Sequence, residues 1–222
     1  NQNIFLEQLI KDDDFLLRVK LSKYIKEHQD ITIDVLQNVI NNGSYHTKLA
    51  IYLYCTIRQN ISFERKLELI DSALLLVKEC SINRFDLASI YSALGLIYMD
   101  ENKIEHGIDS YEKALSYNRY DNTAAQNCGA LLFNSGYWQK AREFFKSRLE
   151  LNGELPNLMY IYAKTLFNRG DYQEAFQYFR KVKIFNNFID IDEYIGKCME
   201  NCDSIITVKA FSKATHQYVS FE

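Results

Sequence analysis

The amino-acid sequence predicts an all-α fold, a right-handed α-solenoid of antiparallel helix pairs with about 11–12 helices. Only one Pro and eight Gly occur in 222 residues, which is too few for a chain with many β-turns. Sixteen Tyr and 14 Phe supply bulky groups for packing between helices. Small and aromatic residues also recur every 34 residues at helical spacing, and such a period predicts a repeat architecture.

The period is clearest in the first helix of each predicted helix pair. The stretch "YSALGLIY" places small and apolar residues at positions that recur twice along the chain. These positions are Tyr91, Leu94, Gly95 and Tyr98, then Ala125, Cys128, Gly129 and Leu132, then Met159, Tyr162, Ala163 and Leu166. The second helix keeps the same period in the pairs Gly107 with Tyr111, Ala141 with Phe145, and Ala175 with Phe179. Small residues at these places allow neighbouring helices to approach closely.

The turn between the two helices is repeated as well. Gly136 and Gly170 stand 34 residues apart, and Asn102 occupies the equivalent place in the preceding unit. Gly and Asn tolerate the left-handed backbone conformation that ends many helices. We therefore expect a left-handed residue at each of the three turns.

These residues resemble the tetratricopeptide repeat, whose 34-residue pattern is W-x2-L-G-x2-Y, then A-x3-F, then P. Three units match, from about Ala88 to Phe188. The chain departs from the pattern where Trp is replaced by Tyr91, Ala125 and Met159, and where the final Pro is missing apart from a displaced Pro156. The resemblance implies a solenoid that binds proteins and performs no catalysis.

The repeats and their flanks predict a single repeat domain over residues 1–222. Its predicted parts are N-terminal helices at 1–43, an irregular repeat at 44–84, three units at 85–187 and capping helices at 188–222. Terminal units of solenoids are usually atypical because one of their faces meets water.

Composition bears on partners and location. The net charge of −3 comes from acidic and basic residues that are mixed along the chain, so nucleic acid is not an expected ligand. No apolar run reaches the length of a membrane span, and the chain opens on no basic-then-apolar leader. Five Cys lie within helical patterns, which favours a reducing compartment and a cytoplasmic location.

No motif for catalysis, metal binding or cofactor binding is found in the sequence. The four His fall in four separate predicted elements, and no phosphate loop or nucleophile elbow occurs. Cys198 and Cys202 are four residues apart, but a lone pair is better explained as small packing residues. Asp190 and Asp192 are interpreted as solvated groups at a helix start. We expect no enzyme activity, metal or cofactor.

The resemblance implies that the first helix of each unit lines a concave groove. Eleven residues are predicted to face it, namely Ser92, Met99, Gln126, Asn127, Phe133, Asn134, Asn157, Tyr160, Lys164, Phe167 and Asn168. Amides can both donate to and accept from a peptide backbone, and rings can bury its side chains. The opposing interpretation is that the polar groups simply face solvent and the rings pack against the next helix.

Two functions remain open at this point. The first is an adaptor or chaperone-like scaffold that binds a peptide or helical segment of a protein partner in the groove, with self-association also expected. The second is a signal- or peptide-sensing domain of a larger bacterial regulator.

One subtype is excluded from the residues at its binding positions. Chaperone-binding members of the family clamp carboxylates with Lys, Arg and Asn side chains. The equivalent places here are Ser92, Leu96, Asn127, Asn157 and Ile161, and only Asn127 agrees with the clamp.

Overall fold

The computed structural model describes residues 7–8, 10, 15–27, 33–57, 61–80, 83–185 and 188–202. Within these residues the regular structure is helical and no strand occurs, as predicted. The helices are α1 (Phe15–Glu27), α2 (Ile33–Asn42), α3 (Tyr45–Thr56), α4 (Phe63–Cys80), α5 (Arg84–Asp100), α6 (Ile104–Tyr117), α7 (Asn122–Asn134), α8 (Trp138–Asn152), α9 (Pro156–Arg169), α10 (Tyr172–Phe185) and α11 (191–202).

Helices pack mainly against neighbours along the chain, which is the arrangement of a solenoid. Helix α3 packs against α4 and also against α1, α2 and α5, while α5 packs against α4 and α6. Helix α9 packs in the same way against α8 and α10. Repeat proteins hold their shape through such nearest-neighbour contacts. The predicted all-α solenoid is confirmed.

The contacts divide the chain into two compact units, Asn1–Ala124 and Ala125–Glu222. Most of α7 and all of α8 to α11 belong to the second unit. The single domain over 1–222 stays a prediction.

The first unit has two clusters of buried apolar side chains. One joins α1 to α4 and contains Leu21, Ile25, Leu36, Val39, Ile40, Ile51, Cys55 and Leu69. The other joins α3, α4 and α5 and contains Leu49, Ile70, Ala73, Val77, Ile90 and Ile97. Burial of these aliphatic groups, at about 25 cal/mol per Å² of apolar surface, drives the helices together.

The second unit is built around buried rings and small residues. Phe145, Tyr162 and Phe179 are buried together with Ala141 and Ala163. The Phe145 and Tyr162 ring centroids lie 6.5 Å apart. These are the positions that the 34-residue period marks for packing, so the period encodes the core of this unit.

The three turns between paired helices have the same geometry. Asn102, Gly136 and Gly170 all have positive φ, at 55°, 77° and 85°. In each turn the residue that follows donates its N–H to a carbonyl five residues earlier. These bonds join Lys103 to Tyr98 at 2.8 Å, Tyr137 to Leu132 at 3.0 Å, and Asp171 to Leu166 at 2.9 Å. This bond is the signature of the Schellman helix ending, and the expected left-handed turns are confirmed.

Two glycines set how closely the paired helices approach. A Cβ built on Gly95 would lie 2.8 Å from the Tyr111 ring, and one built on Gly129 would lie 2.1 Å from the Phe145 ring. Both distances are far below van der Waals contact. The rings therefore pack directly on the backbone of the first helix, as the repeated small residues predict.

The predicted flanking hairpins are found wherever the structure describes them. Helices α1 and α2 form the expected N-terminal helices, and α2 ends at Asn42 before Gly43. Asp12, Asp13 and Asp14, which were expected at the start of α1, lie outside the described residues. Helix α11 is the first helix of the predicted capping pair, and its second helix falls in 203–222, also outside them.

Candidate functional site

The first helices of the second unit bring side chains from distant parts of the sequence together. Phe133 lies on α7, Tyr160 and Lys164 lie on α9, Asp190 directly precedes α11, and Tyr194 lies on α11. We call these five residues the aromatic–lysine cluster. Three of them, Phe133, Tyr160 and Lys164, were predicted to face the groove.

Lys164 lies at the centre of the cluster. Its Nζ is 5.2 Å from the centroid of the Tyr194 ring, 5.3 Å from Tyr160 and 6.0 Å from Phe133. It also lies 3.6 Å from a carboxylate oxygen of Asp190. An ammonium within about 6 Å of a ring is attracted by the negative face of the ring. One cation thus meets three rings and one carboxylate.

Asp190 is held more firmly than the sequence predicted. Its carboxylate accepts a hydrogen bond from the Tyr160 hydroxyl and pairs with Lys164. Partial burial raises the pKa of Asp190, but the bonds from Tyr160 and its own backbone and the charge of Lys164 outweigh burial and hold that pKa below its usual value. Interpreting Asp190 as a solvated helix-start group was wrong, because α9 packs beside it. Asp192 is exposed and pairs with Lys183.

The predicted aromatic residues already have partners within the chain. Tyr160 stacks on Phe188 with the ring centroids 4.0 Å apart and the planes 6° from parallel. Phe167 meets the Tyr194 ring edge-on at 5.1 Å. Tyr194 in turn stacks on Phe179 at 5.0 Å. The rings therefore fix α9 against α11, as the opposing interpretation of the sequence expected.

The amides of the predicted site are more accessible than its rings. Asn134, Asn157 and Asn168 are exposed, whereas Gln126 and Asn127 are partly buried. Asn134 and Asn168 are 34 residues apart and close the first helices of consecutive units. These groups are open to a ligand backbone.

The two remaining predicted residues lie in the first unit. Ser92 and Met99 are both on α5 and are partly buried. A cavity of about 220 Å³ opens nearby along the same layer of first helices. It is lined by Val19, His46, Leu49, Ala50, Leu53, Tyr54, Asp86 and Ser89. Asp86 accepts a 2.7 Å hydrogen bond from the Tyr45 hydroxyl.

The cysteines carry no reactive chemistry in the described structure. Burial, and then the neighbouring Cys202, raise the pKa of the Cys198 thiol to about 11. A thiol with such a pKa stays protonated at neutral pH and is a weak nucleophile and metal ligand. In the described part of the chain, no group of three or more His, Cys, Asp and Glu side chains is placed to hold a metal ion.

Sequence reasoning missed Asp190 and Tyr194 as members of the cluster. A signal for Tyr194 was present, because it follows Tyr160 by 34 residues and Tyr160 follows Gln126 by the same interval. Extending the period one unit further would have placed Tyr194 beside Tyr160. Asp190 offered no comparable signal, because its pairing depends on how the chain enters α11.

A membrane span was also sought in the structure. Among the described residues, none of the helices combines the length and the apolar character that crossing a bilayer requires.

Comparison with known proteins agrees with the repeat pattern. The family model for the anaphase-promoting complex, cyclosome, subunit 3, a family with repeats of the tetratricopeptide type, matches residues 100–182. The solved structure of MamA AMB-1 has a TM-score of 0.53 and 17% identity, and the match covers 81% of this chain and 98% of that one. MamA MSR-1 has a TM-score of 0.52 and 19% identity, with 79% and 94% covered. These structures share the fold. A search of curated proteins found no match.

Proposed function

The chain carries tetratricopeptide-type repeats, and on that premise we propose that it is an adaptor that binds an extended segment of a partner protein across α7, α9 and α11. Repeats of this type build protein-interaction scaffolds, and their solenoids present long surfaces to partners. A catalytic role has no support from any motif or perturbed nucleophile described above.

One observation carries the proposal. Accessible amides and a cluster of rings and charge lie on the same row of first helices in the second unit. Asn134 and Asn168 are exposed at equivalent places of consecutive units, and Asn127 and Lys164 lie further back on the same helices. This spacing suits an extended chain, whose backbone groups recur at regular intervals.

Amide side chains are suited to reading a peptide backbone. Each Asn can donate through its NH₂ group and accept through its oxygen, so it satisfies both a carbonyl and an N–H of the ligand. Such bonds give affinity without much side-chain selectivity. Selectivity then comes from the cluster around Lys164, which offers rings and a carboxylate.

The proposal is tested with a ligand selected on the intact chain. A peptide is chosen from a random library by phage display against the wild-type protein, and its Kd is measured by calorimetry. The triple variant Asn127→Ala, Asn134→Ala, Asn168→Ala should bind roughly ten- to a hundredfold more weakly, because each lost hydrogen bond is worth about 0.5–1.5 kcal/mol. Circular dichroism confirms that the variant keeps its helices.

A matched control removes amides from the other helix layer. Gln173 and Gln177 are exposed on α10, so Gln173→Ala, Gln177→Ala should leave the Kd within about twofold of the wild type. Unchanged binding by a folded triple variant, or a loss confined to the α10 control, would overturn the proposed face.

A further inference from the structure

We propose that the aromatic–lysine cluster is a binding site for a cationic side chain of the partner segment, and that Lys164 fills this site while no partner is bound. This inference rests on the proposed function only in naming the partner segment as the source of the cation. The site itself is a property of the second unit and is testable without a partner.

The chemistry of the cluster is that of a cation receptor. Rings from α7, α9 and α11 surround one ammonium at 5.2 Å, 5.3 Å and 6.0 Å, and Asp190 supplies a negative charge 3.6 Å away. Rings arranged in this way recognise ammonium and quaternary ammonium groups, because their negative faces all point at the cation. A carboxylate beside the rings adds a charge-assisted contact.

Convergence of several rings distinguishes Lys164 from other lysines near aromatic groups. Lys113, Lys140 and Lys181 each lie over a single ring, those of Tyr91, Tyr137 and Tyr178 respectively. Single contacts of this kind are common on protein surfaces. The three rings around Lys164 come from three different helices and form a container for the cation.

The solenoid does not require a lysine at this position. The residues 34 places before and after Lys164 are Ala130 and Cys198, and both are small. Equivalent positions of a repeat meet equivalent packing demands, so a small side chain satisfies the fold there. The lysine therefore occupies a container that the repeat builds without its help.

Lys164 can also leave the cluster readily. Its side chain is 24% exposed and sits on a flexible four-carbon stem, so the ammonium can swing into water. Asp190 stays in place when this happens, because the Tyr160 hydroxyl donates to it independently. An incoming cation then replaces one positive charge with another, and no buried charge is left unpaired.

The experiment titrates tetramethylammonium chloride into the full chain and follows the Tyr ring signals by NMR, with sodium chloride at matched ionic strength as the reference. Lys164→Ala empties the cluster and installs the residue that Ala130 supplies one unit earlier. Tetramethylammonium should bind Lys164→Ala saturably, with a Kd at least about tenfold lower than for the wild type, and shift the signals of Tyr160 and Tyr194. Lys140→Ala, which removes a lysine from a single ring, should behave as the wild type.

A second variant tests the container itself. Adding Tyr194→Ala to Lys164→Ala removes one ring, and this pair should lose the gain in affinity. The inference is overturned if the wild type and Lys164→Ala bind the probe equally, or if the double variant binds as tightly as Lys164→Ala. Should Lys164→Ala lose its helical signal, Lys164→Gln removes the charge with a shorter polar stem, and the same comparison decides. Because no peptide takes part, this result is independent of the proposed peptide binding.

Discussion

Direct contact between a ring and a helix backbone is the tightest constraint at the scale of single residues. Phe145 lies against the backbone of Gly129, and Tyr111 lies against that of Gly95. In the third unit the equivalent place holds Ala163, which is buried. The repeat therefore accepts a methyl group at this place in one unit, but the first two units are packed too closely for it.

Gly129→Ala is expected to lower the free energy of unfolding by about 1–3 kcal/mol, because its Cβ would force the Phe145 ring to move. The gain in helix propensity of up to about 1 kcal/mol only partly offsets this loss. Urea denaturation measures the difference. Gly196→Ala is the matched control, since a Cβ there meets nothing within 4 Å, and it should be neutral or stabilising. A Gly129→Ala protein as stable as the wild type would contradict the close contact.

The charge of Asp190 makes stability depend on pH. The folded-state pKa of this carboxyl lies below its ordinary value of 3.8, so the ionised form stabilises the fold above that value and the benefit is lost as the pH falls through the folded pKa. Asp190→Asn should lower the free energy of unfolding at neutral pH by about 1 kcal/mol or less, since the pair is partly exposed. The difference between the two proteins, measured by urea denaturation, should shrink below about pH 4. A difference that grows in acid would show that Asp190 plays no such part.

At the scale of elements, identical helix endings set the angle between paired helices. The residues at the three left-handed turn positions differ, because Gly occupies Gly136 and Gly170 whereas Asn102 takes the first. Asn pays a smaller penalty than other side chains for positive φ but still adopts it less readily than Gly. The first turn is therefore the least relaxed of the three.

Two substitutions at this turn are expected to act in opposite directions. Asn102→Gly should leave the thermal midpoint unchanged or raise it slightly, while Asn102→Ala should lower the free energy of unfolding by about 1 kcal/mol, because Ala resists φ of 55°. Differential scanning calorimetry of the pair gives the answer. Equal stability of the two variants would mean that the turn relaxes to another conformation.

The 34-residue period predicted these elements well, for a physical reason. Turn conformation and helix contact depend on which residue stands at a fixed place, so Gly136 and Gly129 could be interpreted from spacing alone. The cluster around Lys164 was harder to foresee. Its rings were identified on α9, but Asp190 joins them through the path of the chain before α11, which no periodic pattern encodes.

At the scale of the whole chain, packing between neighbours implies that a local change stays local. Solenoid stability is close to a sum of repeat and interface contributions. The division into Asn1–Ala124 and Ala125–Glu222 was not predicted, because it depends on the density of contacts rather than on any sequence signal. The solenoid itself was predicted, since three units share one register.

Hydrogen exchange should reveal this locality. Gly129→Ala is expected to reduce amide protection in α8, α9 and α10 by about tenfold or more, while protection in α3 and α4 changes much less. Mass spectrometry of peptic fragments measures both regions in one experiment. A uniform loss across all five helices would instead indicate that the chain unfolds as one cooperative body.

The central claim is that α7, α9 and α11 present the surface that binds a partner. The most direct measurement is an NMR titration of the labelled chain with the selected peptide, in which perturbed amide and ring signals locate the contact. We predict that the largest changes fall on Asn134, Lys164, Asn168 and Tyr194. Changes confined to α8 and α10, around Glu143, Gln173 and Gln177, would place the partner on the other helix layer and contradict the proposed function.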